Sequence, residues 1–200
     1  MRWRPWLVSA MVVATSGVAA AQHMDANHGF TWAVGMGRGS LTTDCTDCQK
    51  STSVIDFGFL LRAGWNVRTN LVLAIESTLW ENSELNYSQV TQKAKYDFVG
   101  AVALYYPRKH SEYFLKLGAG VAPLTTQLTT ADGSVPDVTS SPPSFVVGAG
   151  IDINFSKSWS GTPFIDLHHG LSAKAKFDKQ STDQKVTTTL VIFGVSLTIH

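Results

Sequence analysis

From residue 28 onward, apolar and polar positions alternate with a period of two. Phe30, Trp32, Val34 and Met36 share one face, opposite Thr31, Ala33, Gly35 and Gly37. Ile55, Phe57, Phe59, Leu61, Ala63 and Trp65 oppose Asp56, Gly58, Leu60, Arg62 and Gly64, and Leu71, Leu73, Ile75, Ser77 and Leu79 oppose Val72, Ala74, Glu76 and Thr78. Tyr96, Phe98, Gly100, Val102, Leu104 and Tyr106 share a face against Lys95, Asp97, Ala101 and Ala103. The same design returns in Tyr113 to Val121, in Phe145 to Phe155, more weakly around Ile165 and Leu167, and finally in Val191, Phe193, Val195, Leu197 and Ile199. This period predicts eight strands of about ten residues.

The faces decide what solvent the strands meet. One face is bulky and continuously apolar; the other carries Gly, Ala, Ser and isolated charges, which suits a narrow polar interior. Strands of nine to eleven residues cross a bilayer core when tilted. In hydrocarbon every backbone group needs a partner, so such strands must close into a barrel. The connections agree. Residues 66–70, 107–112 and 156–161 are short links, and residues 39–53, 81–91, 123–144 and 170–184 are long ones, in strict alternation. That is the arrangement of tight periplasmic turns and long external loops. Trp65, Tyr106, Tyr113, Phe155 and Trp159 gather at the short-turn end as an interfacial girdle would. The predicted fold is all-β: an eight-stranded antiparallel up-and-down transmembrane barrel.

Composition narrows the classes further. Of 200 residues only 16% are charged, too few for a disordered tail, a coiled coil or a basic nucleic-acid module. Residues 1–21 read as a signal peptide of the Sec type. Arg2 and Arg4 precede an apolar run, and Ala19, Ala20 and Ala21 offer a cleavage site, leaving residues 22–200 as one barrel domain. Without those two arginines the 16 basic residues become 14, against 15 acidic ones, so the balance gives no footprint for nucleic acid. An exported chain favours a disulfide between Cys45 and Cys48 over a redox or zinc pair.

With its Gly-x-Gly strands, Leu117-Gly118-Ala119-Gly120 and Val147-Gly148-Ala149-Gly150, the chain resembles the eight-stranded outer-membrane barrels of the OmpA/OmpX type. The last strand resembles their terminal assembly signal through Gly194, Val195, Leu197 and Ile199, although the family usually ends on an outward aromatic and this chain ends on Ile199 and His200. The resemblance implies residence in the bacterial outer membrane, contact with its lipid and lipopolysaccharide, and handling by the barrel-assembly machinery.

An eight-stranded barrel is filled by its own side chains. Asp56, Arg62, Glu76, Asp97, Lys116, Asp152 and Asp166 are therefore expected in a confined interior as a polar network that fixes register. Arg62 and Glu76 flank one short turn and should pair. Asp152 and Asp166 flank another, should lie almost opposite each other, and need a cation such as Lys116. The paired histidines His168 and His169 invite a lipid A acyl-hydrolase reading, since barrels of this size that remove acyl chains resemble one another through a His and a Ser two residues apart. Here Ser172 follows His169 by three, the wrong strand parity unless Gly170 distorts the strand. No cofactor or metal site is expected, and no catalytic one. Lys174, Lys176 and Lys179 could meet lipopolysaccharide phosphates, and residues 123–144 read as a flexible display loop. The expected function is non-enzymatic, structural or loop-mediated at the cell surface. The alternatives are the acyl hydrolase and a secreted lipocalin-like carrier of apolar ligands.

Overall fold

The computed structural model describes residues 29–45, 52–82, 85–87, 90–108, 111–130, 133–134, 138–156, 158–177 and 180–200. The signal segment at 1–21 and Cys48 lie outside the described residues.

Eight strands wind around the barrel: β1 (Phe30–Cys45), β2 (Thr52–Arg68), β3 (Leu71–Glu81), β4 (Val90–Tyr105), β5 (Tyr113–Val121, continued by Leu124–Thr130), β6 (Val138–Ser140, then Pro143–Ile151), β7 (Trp159–Phe177) and β8 (Gln180–Ile199). Each pairs antiparallel with its neighbour in sequence. β8 also pairs with β1 over Trp32 to Cys45, which closes the cylinder and removes both sheet edges. The apolar face turns outward. Ile75 is 68% exposed and Phe193 61%, whereas their inward neighbours Glu76 and Ile192 are fully buried. Where two inward positions meet across strands, small residues let the backbones close up. A Cβ on Gly194 would strike the backbone of Met36 and Gly37 on the adjacent strand, so this pair tolerates no side chain.

Three expectations need correction. On β4 the faces are reversed: Tyr96, Phe98, Val102 and Leu104 are buried in the lumen, while Lys95, Ala101 and Ala103 are not. Register explains it. Tyr96 stands opposite Trp80 and Phe98 opposite Thr78, and residues paired across an antiparallel ladder share a face. Asp97 therefore leaves the interior and meets Lys95 on the outside at 3.2 Å. Tyr106 turns inward, and Tyr105, Phe30 and the other exposed turn-end aromatics form the girdle in its place. Finally, the long connections are largely ladder. Leu124–Thr130 continues along β4, and β7 and β8 stay paired up to Phe177 and Gln180. Thr, Ser and Lys alternate there on both faces and give no apolar stripe to read.

Candidate functional site

The lumen on the short-turn side holds a compact set of charges. Arg62 and Glu76 are cross-strand partners on β2 and β3, with Arg62 Nη1 3.7 Å from Glu76 Oε2. Lys116 on β5 donates to Glu76 Oε1 at 2.7 Å and to Oε2 at 3.0 Å, and to Asp166 Oδ2 at 2.6 Å. Glu76, Lys116 and Asp166 are all buried. Two cations thus face two carboxylates, the balance that makes a buried charge cluster tolerable. The Arg62 guanidinium also lies over the Phe114 ring, 5.6 Å from its centre.

The backbone arranges this meeting. Gly148 on β6 stands between Lys116 and Asp166, paired with one on β5 and the other on β7. Two long side chains converge above a residue that has none. A Cβ on Gly148 would collide with Asp166 Oδ1.

Asp152 and Asp166 do not lie opposite each other. Ile153 pairs with Gly161 past the third turn, which brings Asp152 against Thr162 and leaves Asp166 across from Gly148. Asp152 accepts from Tyr106 Oη at 2.7 Å and Thr162 Oγ1 at 2.6 Å. Thr162 reaches Thr198 at 3.2 Å, and Ser160 reaches the ring of His200 at 3.0 Å. These hydroxyls were missed in the sequence, although Thr162 and Ser160 share the inward phase of Asp166. Asp56 stands apart from the cluster, opposite Gly39, and its Oδ1 accepts from the Phe57 backbone N–H at 2.8 Å.

Of the paired histidines, His168 points into the lumen. His169 points outward, shares a 3.0 Å hydrogen bond with Thr189 Oγ1 and packs on Phe145. The register between β7 and β8 shifts between Gly170 and Ala173. Leu171 and Ser172 are both exposed there, so the distortion does bring Ser172 out on the side of His169. On the terminal strand, Val195 and Leu197 face outward and Gly194 packs on Gly37. Ile199 pairs with Trp32 and Trp159, and His200 N–H donates to Ser158 O at 3.0 Å.

No family model and no curated protein matches the chain. Solved structures do. The crystal structure of Neisserial surface protein A aligns with a TM-score of 0.54 at 13% identity, covering 86% of this chain and 98% of that one. The outer membrane protein OprG of Pseudomonas aeruginosa gives 0.53 at 9% identity, covering 90% and 99%. Ail of Yersinia pestis, in complex with the heparin analogue sucrose octasulfate, gives 0.50 at 15%, covering 84% and 98%. The fold is that of the eight-stranded outer-membrane barrels of the OmpA/OmpX type.

Proposed function

We propose that this chain is a non-enzymatic outer-membrane barrel, exported through a cleaved signal peptide, that serves the envelope structurally and offers its long hairpins at the cell surface. One observation carries the reading. A belt of large apolar side chains covers the outside of a closed cylinder whose inside is filled by buried side chains, with Glu76, Lys116 and Asp166 ion-paired among them. Exposing such a belt to water would be costly; against acyl chains it is the natural outer surface. The filled lumen argues against diffusion of solutes. A lipocalin-like carrier needs these side chains inside, and they are outside. The surrounding lipid, with its lipopolysaccharide, is then the constant partner, and Gly194, Val195, Leu197 and Ile199 are the segment offered to the assembly machinery.

Cell fractionation and gel mobility test this. The expected result is recovery in the outer-membrane fraction and a band that shifts on heating. Recovery of folded protein from the soluble periplasm would reject the reading. A second reading, lipid A deacylation, is favoured only by the outward turn of Ser172 beside His169. Mass spectrometry of lipid A from cells with and without the protein checks it, with no change in acyl number expected.

A further inference from the structure

One lumen feature is left unused by the ion pairs. His168 is fully buried one step towards the long hairpins from Asp166, and neither ring nitrogen has a hydrogen-bond partner among the described residues. Its ring meets Phe98 edge-on at 4.8 Å and Tyr96 at 6.2 Å. Beside it, Asp166 Oδ1 also lacks a hydrogen-bond partner among the described residues, while Oδ2 holds Lys116. One donor atom each from Glu76, Asp166 and His168 lie within 4.8 Å of one another. Folded proteins leave few buried polar atoms unsatisfied, and two adjacent ones that are both good ligands ask for a guest.

We propose that Glu76, Asp166 and His168 form a buried binding site for a divalent transition metal of the Zn2+ class. The inference goes beyond the membrane reading and does not depend on it. One imidazole nitrogen with two carboxylate oxygens suits zinc, nickel or copper. Magnesium and calcium prefer all-oxygen sites. Asp166 can bridge, with Oδ1 on the metal and Oδ2 towards Lys116. A fourth position is left for water, as in three-ligand zinc sites.

Lys116 is the competitor. With Arg62 it already neutralises Glu76 and Asp166, so a divalent ion brings two surplus charges. Binding therefore requires the Lys116 ammonium to turn away from the two carboxylates it now holds. Arg62, Glu76, Lys116, Asp166 and the Tyr96 hydroxyl are the groups that set this balance. Trp80, Tyr96, Phe98 and Leu190 close the lumen on the hairpin side. The ion is thus best loaded while the barrel folds.

The test refolds the untagged full-length chain in detergent micelles with Zn2+ or Cu2+, removes free metal by dialysis and counts what is retained. The expected result is one ion per folded chain, retained by His169→Phe, lost in His168→Phe and held more tightly by Lys116→Met. In the Cu2+ sample, electron paramagnetic resonance should show hyperfine coupling from a single imidazole. A wild type that retains no metal overturns the proposal, as does equal retention by His168→Phe. Where His168→Phe fails to show the heat-dependent gel shift, the wild-type Cu2+ spectrum decides: single-imidazole coupling supports the site, and its absence overturns it.

Discussion

The lumen is built in two layers that solve the same packing problem by opposite means. On the hairpin side, Leu41, Trp80, Tyr96, Phe98, Leu124 and Leu190 fill the barrel with volume. On the turn side Arg62, Glu76, Lys116, Asp152 and Asp166 add short directional bonds to the packing of Val72, Leu104 and Phe114. Glycine serves both. A Cβ at Gly39 would come within 3.0 Å of Trp80 Cδ1, so the indole takes the room that glycine leaves, and its Nε1 donates to Gly39 O at 3.0 Å. Gly148 does the same for Asp166. The difference lies in tolerance. An apolar layer accepts another side chain of similar volume, whereas a charged layer accepts only replacements that keep its balance.

The sharpest way to break that contrast is to remove the centre of each layer. Lys116→Met strands Glu76 and Asp166 with Arg62 as the remaining cation. The expected loss is about 3–5 kcal/mol, the usual consequence of removing one partner from a buried pair. Trp80→Ala opens a cavity on the other side, with a loss of about 3–5 kcal/mol. Urea unfolding from lipid vesicles, followed by gel mobility, measures both. The rescues should differ. Adding Asp166→Asn to Lys116→Met should recover most of the loss, because one cation, Arg62, then faces one carboxylate, Glu76. The same change should do nothing for Trp80→Ala. If it rescues both equally, the two layers are not separate.

A smaller effect tests the backbone side. Gly148→Ala adds one methyl under Asp166 and should destabilise by about 1–3 kcal/mol, through overpacking. The same assay reads it. Because the methyl pushes on the carboxylate, Gly148→Ala combined with Asp166→Asn should cost less than the sum of the two single changes.

Much of this architecture is visible in residue alternation, because the outer belt must be apolar at every second position wherever it meets hydrocarbon. β4 is the informative failure. Tyr96, Phe98, Val102 and Leu104 are bulky and Ala101 and Ala103 small, so size suggested the lipid side. The lumen has room for the bulk because Gly100, Gly118 and Gly120 sit among its neighbours, and only register reveals that. The paired extensions beyond the belt were hidden for another reason. Around Lys174 and Lys185 both faces of the strands are polar or small, so alternation loses its contrast. Within the site, the Arg62–Glu76 pair can be read across a single short turn. Lys116 is foreseen as the cation for Asp166 because two inward carboxylates need one, but its reach over Gly148 on the intervening strand follows from pairing that no local pattern encodes. Tyr106 was lost with the phase of its strand.

The mildest expected outcome sets one ion pair against another. Lys174 and Asp183 join neighbouring strands at 3.0 Å, close to the 2.6 Å of Lys116 and Asp166. Length alone would rank them as near equals. Their surroundings do not, since the Lys116 and Asp166 side chains are 1% exposed, whereas Lys174 is 57% exposed and Asp183 wholly so. Water and salt screen the outer pair, and holding two long side chains together costs rotamer freedom. Lys174→Gln should therefore leave the urea midpoint where it was at any ionic strength, while Lys116→Met moves it strongly. A clear shift for Lys174→Gln at low salt would mean that the extended β7–β8 hairpin is held by its charges rather than by its ladder of backbone bonds.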